Sequence, residues 1–255
     1  MTSVVRSCEC YVLAVAWIIG CSNPTDTQPC PATVSLPIYR GSVEPPTSLG
    51  SVADSVVAVV IERTVDGRTF ESLCTGVRID ATHVLSARHC VEGVGRFTVR
   101  IVEGPKSDAV HGTSCQPTVS REGDGSAGLY LHPHLDAAIL LVQPLADAVV
   151  APLATSPPKV GAPAILAGYG LDETNQAGTR HFLNSQVLRV VGDFIDTQTS
   201  GDAGACEGDS GGPLFLQESE QWRLAGTLSL GSPDCRGVDE YLSVLVLRDW
   251  LQSVQ

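Results

Sequence analysis

Apolar positions along the chain fall in short blocks separated by glycine, proline and polar turns, and long helical stripes are missing. Ser55 to Glu62 is a β-branched run. Asp66-Gly67 and a second stretch towards Leu73 follow it, which predicts a hairpin. Arg96 to Val102 alternates with period two, the pattern of a strand with one buried face. A short apolar strand precedes His89, and a longer apolar run fills Ala137 to Val142. Helical spacing appears only at the end, where Leu247, Trp250 and Leu251 stand at i, i+3 and i+4. No internal repeat is legible. Many short strands with turn signals predict an all-β chain built as barrels.

The strongest chemical signal is Gly208-Asp209-Ser210-Gly211-Gly212-Pro213. Glycines on both sides of Ser210 allow backbone conformations closed to other residues and leave room for a substrate. Backbone N–H groups there can converge on a developing oxyanion. A nucleophilic serine needs a base, and the base needs an orienting carboxylate. Val84 to Cys90 supplies His89 directly before a cysteine. His132 to Val142 supplies Asp136 at the head of an apolar run, where a carboxylate is costly unless partnered. His132, His134 and Asp136 would share one face of an extended strand and could also be read as metal ligands. That reading would take the orienter away from His89, so the structural one is preferred. His83, His111 and His181 have no partner that the sequence identifies.

The order His89, Asp136, Ser210, with all three local motifs, resembles the trypsin-like (chymotrypsin-fold) serine proteases. The resemblance implies two six-stranded Greek-key β-barrels with a short C-terminal helix, from residue 38 to the end. The first barrel would cover about 38–145 and the second about 160–255, with Gln143 to Gly161 crossing between them. It also implies that Ser210 is the nucleophile of a peptide-bond hydrolysis and His89 its general base. Asp136 would hold the imidazole tautomer. The N–H groups of Gly208 and Ser210 would form the oxyanion hole. No cofactor is implied, and the partner is a protein or peptide substrate met by a monomer.

By the same resemblance Gly204 floors the specificity pocket, with Ala205 next to it and Glu207 at the rim. No carboxylate stands where trypsin holds Arg or Lys, which implies a neutral pocket for apolar or aromatic side chains. Ser229-Leu230-Gly231 matches the segment that pairs with substrate backbone, with Leu230 replacing the usual Trp. Asp239 falls near the pocket base if Tyr241-Leu242-Ser243-Val244 aligns with the family's wall strand, and outside it if Gly237-Val238 does. Arg88 stands where relatives carry Ala. Family bridges match Cys74 with Cys90 and Cys206 with Cys235, leaving Cys30 and Cys115 as the remaining pair. Ile38-Tyr39-Arg40-Gly41 resembles the mature N-terminus, whose freed amine pairs with the acid before the nucleophile, here Asp209. Pro37 replaces the usual basic residue before that site. Either an unusual protease cuts there, or Asp209 finds another donor.

Composition narrows the setting. The 255 residues are 43% hydrophobic with a net charge of -12, which argues against nucleic acid as a partner. Residues 1–20 read as a secretory signal: Arg6 precedes an apolar stretch from Cys10 to Gly20 that is too short to span a bilayer. Ile18-Ile19-Gly20-Cys21 resembles a bacterial lipoprotein signal with Cys21 as the lipidated residue. The chain is then exported, either as a bacterial outer-membrane lipoprotein held by that lipid alone, as Ser22 after Cys21 suggests by the same resemblance, or secreted. Residues 21–37, with Pro24, Pro29, Pro31 and Pro37, read as a tether. Nine cysteines in an exported chain point to disulfides rather than metal ligands. The acidic, glycine-rich stretch 121–128 fits no calcium pattern well and reads as a solvated loop. Against the enzyme reading stands a catalytically silent homologue that serves as a surface binding module.

Overall fold

Six consecutive residues, Val56 to Ile61, are buried on both faces of the first strand, β1 (Val56–Val65). Val57, Val59 and Ile61 enter one core with Phe97, Val99 and Leu140. Val56, Ala58 and Val60 join another with Leu166, Phe215 and Leu228. Successive strand residues point to opposite faces, so β1 is the seam where two sheets meet. The computed structural model describes residues 38–93, 96–107, 116–122, 125–126, 128–144, 147–199 and 201–254. The expected signal, Cys21, the tether, Cys30, Cys115 and His111 lie outside the described residues.

The first sheet comprises β1, β2 (Arg68–Arg78), β3 (His83–Ser86), β4 (Arg96–Val102), β5 (Gln116–Glu122), β6 (Gly125–Ser126), β7 (Leu129–Leu131) and β8 (Ala138–Leu141). Their order is β6-β5-β4-β1-β2-β3-β8-β7. Six strands form its body, and the short β6 and β7 extend its two ends. The predicted hairpin joins β1 to β2 with Val65 opposite Arg68. Asp66 (φ 51°) and Gly67 (φ 76°) both take the positive φ of a type I′ turn. In β4, Phe97, Val99 and Ile101 are buried while Thr98 is exposed, as the alternation predicts. In the acidic stretch Arg121 pairs with Ser126 and Glu122 with Gly125.

The second sheet closes completely, in the order β10-β11-β14-β13-β12-β9. Its strands are β9 (Pro163–Gly168), β10 (His181–Val191), β11 (Phe194–Gln198), β12 (Pro213–Glu218), β13 (Gln221–Leu230) and β14 (Val238–Ser243). Between the sheets the chain touches both. The Ala151 N–H donates to the Arg78 carbonyl on β2, and Leu153 bridges Leu224 on β13. A short helix, α2 (Arg248–Ser253), follows with Leu247 and Leu251 buried. This is the all-β, two-barrel architecture with a C-terminal helix that the strand pattern and the resemblance implied.

Candidate active site

His89 sits in α1 (Arg88–Val91), a single turn tied to β2 by the Cys74–Cys90 disulfide. One turn cannot hold a helix by itself, so its neighbours position it. Asp136 ends the turn that leads into β8. Its Oδ2 lies 2.8 Å from His89 Nδ1, and its Oδ1 accepts the His89 backbone N–H at 3.0 Å. The Ser229 hydroxyl donates to the same Oδ2 at 2.7 Å. The hydrogen bond to Asp136 holds the His89 pKa above the ordinary imidazole value despite partial burial, with a smaller push from Glu92. Burial alone would raise Asp136, but the bonds from His89 and Ser229 bring its carboxyl below the usual range.

Those bonds also bear on the group His132, His134 and Asp136. Asp136 is committed to His89 and Ser229. His132 Nδ1 accepts the backbone N–H groups of His134 (3.2 Å) and Leu135 (2.9 Å). In this turn His132 and Asp136 both make structural hydrogen bonds. His83, which had no partner in the sequence, places Nδ1 2.8 Å from the Asp80 carboxylate. His181 is buried with Nδ1 unbonded, and burial lowers its pKa.

Ser210 stands in the tight turn before β12. Gly208 (φ 94°) and Gly211 (φ 79°) take conformations that favour glycine there. Several N–H groups of this turn are spoken for: Asp209 to Cys206 O, Gly211 to Leu228 O and Gly212 to Asp209 O. Those of Gly208 and Ser210 donate to no acceptor among the described residues. The turn is clamped from the other sheet, because the Thr75 N–H donates to Ser210 O at 2.9 Å. His89 and Ser210 line one cavity of about 460 Å³, together with Glu207, Ser229, Leu230 and Gly231.

Behind that cavity lie two buried carboxylates. Asp209, 1% exposed, accepts the Gly170 N–H at 2.7 Å and the Cys206 N–H at 2.8 Å. Backbone donors therefore satisfy its oxygens, but no cation pairs with it among the described residues. Burial pushes its pKa to about 8, with Asp239 adding to the rise. Asp239, 0% exposed, accepts the Ala205 N–H at 3.0 Å and the Ser232 N–H at 3.4 Å. Burial raises it to about 6. A Cβ placed on Gly204 would lie 3.3 Å from one Asp239 oxygen, and one on Gly231 would lie 3.7 Å from the other. The Asp239 carboxylate therefore lies next to the Gly204 and Gly231 backbone. The Cys206–Cys235 disulfide closes this region.

Ile38, 1% exposed, packs in the inter-sheet core, and the Tyr39 N–H donates to Gly204 O at 3.1 Å. Thr75, Gly170 and Ser86 had no signal in the sequence. They act on residues brought near only by folding: the Thr75 hydroxyl reaches Gly208 across 133 positions.

Comparison with known proteins places the chain in a family. The family model described as Trypsin matches residues 50–251. "Trypsin zeta" of Drosophila erecta is 30% identical over 220 residues, covering 73% of this chain and 75% of that protein. "Snake venom serine protease catroxase-1" of Crotalus atrox is 30% identical over 208 residues, covering 71% and 76%. The solved structure of neuropsin, a serine protease of mouse brain, superposes with a TM-score of 0.64 at 21% identity. It covers 85% of this chain and 99% of its own, a likeness of fold. The chain belongs to the trypsin family of serine endopeptidases.

Proposed function

We propose that the chain hydrolyses peptide bonds through an acyl-enzyme on Ser210. The Ser210 oxygen attacks the scissile carbonyl while its proton passes to the free ring nitrogen of His89. The C–N bond then breaks, and that proton goes to the leaving amine. Water repeats the sequence to release the acid. Asp136 holds Nδ1 and stabilises the imidazolium between the two transfers. The N–H groups of Gly208 and Ser210 meet the oxyanion, each contributing about 3–4 kcal/mol in related chemistry. The observation that carries this reading is the His89–Asp136 bond at the edge of a cavity shared with Ser210.

A fluorophosphonate probe tests it. Labelling at Ser210, together with peptide cleavage that falls about 10⁶-fold in Ser210→Ala, supports the reading. No labelling and no cleavage would leave the silent binding module as the better account.

For specificity, we propose a neutral pocket that takes apolar or aromatic side chains, since Asp239 is fully buried with both oxygens bonded. A second reading, basic specificity, is favoured by how close the two glycines come: a Cβ on Gly204 or Gly231 would lie 3.3 or 3.7 Å from that carboxylate. A peptide-library cleavage profile decides between Phe/Leu and Arg/Lys. Export is supported by the two disulfides and the signal-like residues 1–20. The lipid anchor rests on Ile18-Ile19-Gly20-Cys21 alone, and a Cys21→Ser protein that stays on membranes would end it.

A further inference from the structure

Arg88 precedes His89, and its side chain reaches the turn that carries Asp136. Nη1 donates to the carbonyls of His132 at 2.7 Å and Pro133 at 3.0 Å. Nε donates to Glu92 Oε2 at 2.7 Å, one helical turn along. The guanidinium is thus oriented at one end by its own helix and grips two consecutive carbonyls at the other. A planar fork with fixed donors suits that task better than a point charge does.

The turn needs such a fastening. On its inner side Leu135 packs against the inter-sheet core, and the His132 ring meets Trp250 edge-on at 5.1 Å. On its outer side Pro133 and His134 are exposed and bring no buried side chain. Pro133 also has no N–H to donate. The turn's internal bonds run from the His132, His134, Leu135 and Ala137 N–H groups. The carbonyls of His132 and Pro133 are the ones Arg88 takes.

Resting on the mechanism above, we propose that Arg88 is a positioning residue for the reaction, latching the Asp136 turn to the His89 helix so that the carboxylate stays in register with Nδ1. His89 and Arg88 then hold the two ends of one short turn from adjacent positions on one helix. Since the Arg88–Glu92 pair is partly exposed, its contribution to stability is small. The latch acts on geometry, where a small misplacement can reduce turnover by about a hundredfold.

The test compares Arg88→Ala, Arg88→Gln and Arg88→Lys with the parent chain, each normalised to fluorophosphonate-titrated Ser210. Both neutral variants should lose about ten- to a hundredfold in kcat with KM within about twofold, and Lys should fall between them and the parent. The acid limb of the rate profile should move to lower pH in the neutral variants, because a loosened Asp136 supports the imidazolium less. The charged groups acting on His89 are Asp136 and Glu92. Glu92→Gln in the same background separates release of the Glu92 charge from loss of the latch. Either neutral variant keeping the parent kcat and acid limb overturns the proposal. A parent chain that neither labels nor cleaves fails the mechanism instead.

Discussion

The Thr75 hydroxyl donates to the Gly208 carbonyl at 3.0 Å while accepting the Tyr169 N–H at 3.0 Å. One side chain of the first sheet thereby fixes the nucleophile turn against the end of β9. Thr75 is fully buried, so neither partner can turn to water instead. Thr75→Val keeps the shape and removes both bonds, leaving a buried carbonyl and a buried N–H unpaired. The expected result is a loss of about 1–3 kcal/mol in stability, with a fall in kcat at unchanged KM. Thr75→Ser should restore most of both. Thermal unfolding and steady-state kinetics on the three proteins check it.

The His89–Asp136 pair predicts opposite pH trends for stability and activity. The His89 pKa is raised by its bond to Asp136, so its contribution to stability is full below the ordinary imidazole value and lost as pH rises through the raised one. Asp136 is lowered, so its contribution is present above the ordinary carboxylate value and lost as pH falls through the lowered one. The pair therefore stabilises most between those limits, about pH 4 to 6.5. Turnover needs neutral His89, so it should rise just where that stabilisation fades. Asp136→Asn should move the acid limb to lower pH and lower kcat by about 10⁴-fold. A pH series of unfolding and rate measurements tests both trends.

His89, Asp136 and Ser210 stood out in the sequence because each sits in a short stretch with its own signature. The strand pattern was equally plain where burial is one-sided, as in β4, or complete, as in β1. Residues acting across the fold left no such trace. Tyr169 meets Thr75 from 94 positions away, and its neighbour Gly170 meets Asp209 only because β9 ends there. Asp239 was ambiguous for another reason. Its place depends on the register of β14, where it stands opposite Thr197, and the Ser232–Gly237 loop does not reveal that register in sequence. Arg88 was visible as a departure, but its target lay on a turn 44 positions on.

Asp209 and Asp239 should make the uncut chain lose stability as pH rises. Both pKa values are raised by burial, to about 8 and about 6, so the folded state holds protons that the unfolded state has already released. Their contribution is full below about pH 4, the unfolded carboxylate value, and fades as pH passes first 6 and then 8. Asp209→Asn should flatten the fall nearest pH 8 and leave the one nearest pH 6. A chain beginning at Ile38, whose free amine could reach Asp209 as the resemblance implies, should flatten the same portion without substitution. Unfolding curves from pH 4 to 9 that are identical for all three chains would remove Asp209 from the account.

Gly170 makes a sharp demand on residue size near the site. A Cβ there would lie 2.5 Å from both the Asp209 Cγ and its backbone nitrogen, and one of those atoms belongs to main chain that cannot rotate aside. Gly170 also donates the 2.7 Å bond that Asp209 accepts. Gly170→Ala must therefore push Asp209 outward, breaking that bond and shifting the N–H groups of Gly208 and Ser210 on either side of it. Overpacking of this kind costs about 1–3 kcal/mol, so the variant should still fold. Its defect should appear in the turn that carries Ser210. A fluorophosphonate, which needs that turn, should label Ser210 at least tenfold more slowly, while the pH dependence set by His89 and Asp136 stays in place. Gly161, where an added Cβ meets nothing within 4 Å but φ is 80°, serves as the control. Gly161→Ala should show backbone strain in stability alone, with the labelling rate unchanged.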